Sequence, residues 1–240
     1  MRILLINANT TAAITEKLIA IGQAMAPPAV TFAGATGRFG ARYIASRAAC
    51  AIAAHAALDA YAEHGAGADA VLLGCFGDPG LDALREIAPV PVVGLADASA
   101  EAAMRVARRF GVVTGGAAWK PMLEEFFAAR GHAGRLAGVR TVAPSGGEIA
   151  RDPEGALALL AEACTASAAQ DRAEAVILGG AGLAGLAARL EGRVPVPVIC
   201  SVEAGVRAAI AVLGQAPSGR PAHAPVETVG LSPALAARLG

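Results

Sequence analysis

Val71-Leu72-Leu73-Gly74-Cys75 and its counterpart Val176-Ile177-Leu178-Gly179-Gly180 decide the fold. Each is a short, continuously apolar run, as expected of a parallel strand buried on both faces. The match continues outward, Gly80-Leu81 with Gly185-Leu186 and Glu86 with Glu191. One residue of slip later, Val90-Pro91-Val92-Val93-Gly94 meets Val196-Pro197-Val198-Ile199-Cys200, and Asp97-Ala98 meets Glu203-Ala204. The offset is about 105 residues, close to half the chain before the tail. Strand, glycines, helix and Pro-Val strand repeating in register predict two similar α/β lobes with a cleft between them.

The rest of the chain alternates in the same way. β-branched runs predict strands at residues 2–7, 29–33, 69–74, 91–95, 110–114, 137–142, 174–179 and 196–200. Alanine-rich amphipathic segments predict helices at 11–25, 42–64, 79–87, 98–108, 118–130, 154–169, 182–190 and 203–213. Such alternation reads as βαβ units, parallel sheets and right-handed crossovers. The fold class is therefore α/β, two pseudosymmetric lobes, each a parallel sheet flanked by helices. Residues 1–97 with 204–240 are assigned to the first lobe and 98–203 to the second. Beyond about residue 214 the chain is rich in Pro, Gly and Ala and reads as a tail, with a short helix near 232–239.

Composition removes several function classes. Twenty basic and twenty acidic residues cancel, and no basic run is present, which argues against nucleic acid as a partner. No apolar stretch reaches the roughly 18 residues of a membrane span. Arg2 is followed at once by a four-residue apolar run, too short for a secretory segment, so a cytoplasmic location is expected. Cysteines at 50, 75, 164 and 200 lie far apart with no CxxC and no Cys/His cluster, which argues against disulfides and against a zinc site.

In parallel α/β sheets ligands gather at the carboxyl ends of strands. Asn7-Ala8-Asn9-Thr10-Thr11 follows the first strand and reads either as a helix cap or as a small-anion contact. Gly74-Cys75-Phe76-Gly77-Asp78-Pro79-Gly80 follows the third, with Asp78 as expected N-cap and Pro79 as first helical residue. Cys75 then sits near a helix N-terminus, whose positive end favours thiolate over thiol. A buried inert cysteine is the competing reading. Val113-Thr114-Gly115-Gly116 is a carboxylate cradle or a plain turn. Gly179-Gly180-Ala181-Gly182 offers bare backbone at the position matching Cys75 in the repeat. Cys200 reads as a packed core thiol or as one that reaches the cleft, and Cys50 and Cys164, on helices, as structural.

Other groups carry less. His55, His64 and His132 fall on helices or their ends and His223 in the tail. Neither Gly-x-Ser-x-Gly nor a P-loop occurs, and the glycines at 34, 37 and 40 do not form a dinucleotide fingerprint. Arg38 and Arg42, with Tyr43, either approach an anionic substrate or belong to a solvated loop. Trp119, Tyr43 and Phe39 line a pocket or simply pack.

With these residues in place the sequence resembles the aspartate/glutamate/hydantoin racemase family, in particular its hydantoin racemase branch. The resemblance runs through Ile6-Asn7-Ala8-Asn9-Thr10-Thr11, Gly74 to Leu81, Arg85-Glu86, Pro91-Val92-Val93-Gly94, Arg109-Phe110-Gly111-Val112-Val113-Thr114, Leu178 to Leu183 and Val196-Pro197-Val198-Ile199, most of residues 1–213. It implies proton transfer at the acidic carbon of a small carboxylate or hydantoin-like substrate, without a cofactor, between two cysteines facing each other across the cleft. It also implies a homo-oligomer. Cys75 matches the first-lobe catalytic cysteine. Asn9, Thr10 and Thr114 match substrate-anchoring positions, and Phe76, Gly77, Gly115, Gly180, Ala181 and Gly182 complete the expected binding set.

The sequence departs from the family at one decisive place. The second-lobe motif reads Leu-Gly-Cys-Ala-Gly, and Gly180 stands at its cysteine. A symmetric two-thiol racemisation cannot run on Cys75 and Gly180. Three readings follow. A racemase or isomerase would use Cys200, a histidine or water as second acid/base. A single-cysteine lyase of the arylmalonate decarboxylase type would use Cys75 as proton donor. A non-catalytic binder would keep only the anion cradle.

Overall fold

The computed structural model describes residues 1–216 and 225–240; His223 of the tail lies outside the described residues. Backbone contacts divide the chain into two units, one of Met1–Ile44, Ala48–Gly94 and Gly205–Gly240, the other of Ala45–Arg47 and Leu95–Ala204.

In the first unit the elements run β1 (Arg2–Asn7), α1 (Ala12–Met25), β2 (Thr31–Thr36), α2 (Arg47–His64), β3 (Ala70–Leu73), α3 (Leu81–Ile87) and β4 (Val92–Gly94). All four strands are parallel, in the order β2-β1-β3-β4. The second unit runs α4 (Leu95–Val106), β5 (Phe110–Gly115), α5 (Trp119–Ala129), β6 (Leu136–Val142), α6 (Gly146–Arg151), α7 (Pro153–Gln170), β7 (Ala175–Leu178), β8 (Val198–Cys200) and the start of α8 (Ser201–Ala211). Its strands are parallel in the order β6-β5-β7-β8, the same winding one repeat later.

The repeat holds at the level of single hydrogen bonds. Val71 N–H donates to Pro91 O and Val176 N–H to Pro197 O, both at 2.9 Å. Gly74 N–H donates to Ile6 O (2.7 Å) and Gly179 N–H to Val113 O (2.9 Å). Ile3 to Ile6, Val71 to Leu73 and Val176 to Ile177 are fully buried, as two-sided burial of parallel strands requires.

Returning to the first unit, α9 (Pro233–Leu239) packs on α2. Ser232 caps it by accepting from Leu235 N–H at 3.3 Å, with Pro233 at the first turn. Leu235 is buried, and the Arg238 guanidinium lies 5.3 Å from the Tyr61 ring centroid. Asp59 of α2 is buried too. Its burial works to raise its pKa, but hydrogen bonds from Ser232 and Arg38 and the Arg38 charge outweigh it and hold the carboxyl below its usual range.

The helix expected at 42–64 begins only at Arg47, the strand expected at 29–33 lies at Thr31–Thr36, and two further segments differ in kind. Residues 182–190 are not an α-helix but two short 3-10 turns, Ala181–Leu183 and Ala188–Leu190. Gly185 between them takes φ +85°, a left-handed conformation that interrupts a right-handed helix. Conversely α6 was not expected from periodicity. Its start is a capping box, in which Ser145 Oγ accepts from Glu148 N–H (3.3 Å) and the Glu148 carboxylate accepts from Ser145 N–H (2.8 Å).

Candidate functional site

Each sheet reverses its winding beside its first strand, so the ends of β1 and β3, and of β5 and β7, flank the switch points where open α/β sheets take ligands. The expected site residues fall at these strand ends, except Cys200, which ends β8.

At the end of β1, Asn7 is fully buried and organises the turn. Its Nδ2 lies within hydrogen-bond reach of Asn9 Oδ1 (3.0 Å), Thr15 Oγ1 (3.0 Å) and the Thr11 carbonyl (3.1 Å), and its Oδ1 accepts from Asn9 N–H (3.2 Å). Asn9 Oδ1 also accepts from Thr11 N–H at 2.8 Å, the geometry of an Asx turn. Thr10 N–H donates to Ala41 O at 3.2 Å. Asn9 and Thr10 are half-buried, so the turn is rigid yet not sealed. Thr11, at the N-cap position of α1, makes no side-chain cap bond; its hydroxyl donates to Arg42 O at 2.8 Å.

At the end of β3 the chain makes a tight turn. Asp78 N–H donates to Cys75 O and Leu81 N–H to Asp78 O, both at 3.1 Å. Asp78 does not cap α3. It takes φ +46°, its carboxylate packs against Gly94, and Gly80, left-handed at φ +82°, stands at the N-cap. The helix starts at Leu81, later than the Asp78-Pro79 pattern suggested, because the turn consumes the residues expected to open it.

That shift overturns the expected ionisation of Cys75. The thiol is separated from the seven-residue α3 by the whole turn. Burial pushes its pKa well above the ordinary thiol value, and the charges of Cys50 and Asp78 push it further the same way. Cys75 is thus a protonated thiol near neutrality. The link to Cys50, on α2, had no signal in the sequence, where the two residues are twenty-five apart.

In the second unit, Thr114 and Gly115 are buried at the end of β5. Gly182 packs so closely on the Gly146 carbonyl at the start of α6 that a side chain would collide with it. Gly180 takes φ +126° and ψ +139° and donates its N–H to Ser201 Oγ at 3.1 Å. Ser201 is fully buried and had not been singled out; its only sequence signal was its place directly after the strand end at Cys200. Cys200 is buried at that end, paired in register with Leu178.

Other candidates resolve into packing. Arg38, its side chain half exposed, forms a two-pronged ion pair with Asp59, both bonds 2.8 Å. Phe39 packs edge-on against His55 with ring centroids 4.9 Å apart, and Trp119 is buried on α5. Cys164 is buried in α7, and its thiol is pushed up to about 12 by burial. Among the described residues no group of three potential metal ligands occurs, and no helix is long and apolar enough to cross a membrane.

Comparison with known proteins adds an independent line. The sequence model described as Asp/Glu/Hydantoin racemase matches residues 3–209. A hydantoin racemase from Pseudomonas sp. (strain NS671) is 41% identical over 141 residues, 59% of this chain and 57% of the relative, so that match spans less than two thirds of the relative's length. A hydantoin racemase from Paenarthrobacter aurescens is 34% identical over 213 residues, 87% of this chain and 89% of the relative. The solved allantoin racemase from Pseudomonas fluorescens superposes with a TM-score of 0.91 at 32% identity, covering 96% of this chain and all of that one. A liganded arylmalonate decarboxylase, carrying one glycine-to-cysteine and one cysteine-to-serine exchange, shares the fold alone, with a TM-score of 0.66 at 20% identity over 92% of this chain and 95% of that one.

Proposed function

Since the chain belongs to the Asp/Glu/hydantoin racemase family, we propose that it is a cofactor-independent enzyme that moves a proton at the acidic carbon of a small carboxylate or hydantoin-like substrate, with Cys75 as the reacting thiol. One observation carries the reading: a buried, protonated thiol at the end of β3, beside the polar turn that ends β1 at the same switch point. Hydantoin and allantoin racemases are the relatives named above, and cyclic ureides head the substrate class.

The chemistry divides by what supplies the carbanion. In racemisation a base removes the hydrogen of the acidic carbon as a proton, and an acid returns one to the opposite face. Cys75, held neutral by burial, is poised for the return step. Its reverse role as base requires substrate binding to favour the thiolate. Asn9, Thr10 and Thr114, with the backbone of Phe76, Gly77, Gly115, Ala181 and Gly182, are proposed to hold the anionic part of the substrate and the enolate-like intermediate. Cys200 remains a candidate for the second acid/base.

A second reading is favoured by Gly180, which has no side chain to give or take a proton. In a decarboxylase-type lyase the bond to the departing carbon dioxide breaks and its electron pair stays on the acidic carbon. Cys75 then protonates that carbon, and the thiolate recovers its proton from solvent. One thiol matches one proton transfer.

Incubation in deuterated water with single-enantiomer hydantoins, allantoin, amino acids and substituted malonates tests both. Racemase action gives deuterium at the acidic carbon of both enantiomers. A lyase releases carbon dioxide and leaves deuterium on one face. Cys75→Ser is expected to lower turnover at least about 100-fold, the scale of a lost acid/base; unchanged turnover would sink the assignment. The homo-oligomer implied by the resemblance is checked by light scattering, where a monomer mass would refute it.

A further inference from the structure

We propose that Ser201 is a positioning residue that holds position 180 to glycine and thereby keeps the second family thiol out of the site. The functional half of this inference rests on the proton-transfer reading above; the structural half stands without it.

Space does not explain the glycine. A Cβ built on Gly180 meets Leu183 Cδ1 at 3.4 Å and Thr114 Oγ1 at 3.8 Å, ordinary van der Waals contacts. The obstacle is the backbone. At φ +126° and ψ +139° an L side chain is strained whatever room it has. Both peptide groups of Gly180 are anchored in that conformation. Its carbonyl accepts from Leu183 N–H at 3.0 Å, which closes the first 3-10 turn. Its N–H donates to Ser201 Oγ at 3.1 Å. Ser201 lies fully buried at the first position of α8, so this acceptor is fixed by a helix and reached by no water. Gly180 is half-buried, and its N–H, on losing this acceptor, turns to another partner or to solvent, which loosens the torsions beside it.

The two positions therefore form one unit. With Ser201 in place, a cysteine at 180 enters a conformation that opposes it. Without the hydroxyl, residue 180 is free to leave positive φ, and a side chain there enters space that the contacts already permit. The family's second thiol is thus excluded by two residues, not by one. Thr114 Oγ1 stands beside the same space, 3.8 Å from that Cβ.

A double-mutant cycle on the full chain tests this, with Gly180→Cys, Ser201→Ala and both together. Two quantities are read: Tm, and the fate of a single-enantiomer 5-substituted hydantoin in deuterated water. Each single change is expected to lower Tm by a few degrees, and the double by less than the sum. Racemisation is expected to be about 10-fold faster or more in the double variant than in Gly180→Cys alone. Additive Tm changes would overturn the clamp, as would a Gly180→Cys variant that is as stable as the parent and racemises as fast as the double. The same Tm cycle with Gly180→Ala decides the matter if the cysteine variants do not fold. If no variant exchanges the proton of the hydantoin, the racemase form of the proposed function fails for that substrate, and additivity or non-additivity of Tm still refutes or confirms the coupling of Ser201 to Gly180.

Discussion

Cys75 shows what a single residue reveals in sequence and what it hides. Its place at a strand end, in a motif shared with a family, was legible. Its ionisation was not, because that depends on where α3 begins and on which groups share its burial. Asp78 turns from helix cap into a negative neighbour, and the expected thiolate becomes a thiol. Cys164 obeys the same physics without any place in the site. Its folded pKa of about 12 lies above the roughly 8.5 of an unfolded thiol. Above that unfolded value the unfolded chain releases a proton that the folded chain keeps, so stability falls as pH rises, and the loss continues up to the folded value. The slope is about 1.4 kcal/mol per pH unit for each such thiol. Cys164→Ala is expected to make the alkaline loss of stability shallower by one thiol's share, read by urea unfolding between about pH 9 and about pH 11. An unchanged slope would show that Cys164 ionises freely in the folded state.

At the scale of elements, strands and long helices followed from periodicity, and the exceptions lie where local chemistry outweighs it. Residues 182–190 carry apolar spacing suited to a helix, but Gly185 at positive φ divides them into two turns. The short α6 has too few residues for periodicity to show, and only the Ser145–Glu148 capping pair marks it. α9 was legible from Ser232-Pro233 and its apolar residues, yet nothing in the sequence said what it packs against. Its anchor is Leu235, 1% exposed. Leu235→Ala is expected to cost about 3 kcal/mol in urea unfolding. A cost below about 1 kcal/mol would mean that Ser232 and Arg238 hold the helix without it.

At the scale of the molecule, the two units differ in how the chain builds them. The second is nearly continuous, Leu95–Ala204, whereas the first needs Gly205–Gly240 to return to Met1–Gly94. A fragment of residues 95–211 holds all four strands of its sheet and the whole of α8. It is expected to unfold in one cooperative urea transition. A fragment of residues 1–94 lacks α9, the partner of Tyr61 and Asp59, and is expected to unfold broadly at lower urea. A sharp transition in the shorter fragment would show that α9 is dispensable. The sequence by itself determined the α/β class, the repeat, the family, and Cys75 as the candidate thiol, because burial on two faces and strand-end motifs are written in local residue order. The protonation of Cys75, the pairing of Arg38 with Asp59, and the hold of Ser201 on Gly180 were decided by the tertiary structure alone. The last two join groups 21 residues apart at 2.8 and 3.1 Å, and the first depends on burial together with Cys50 and Asp78, in surroundings where the interaction of charges strengthens and every unpaired polar atom is penalised.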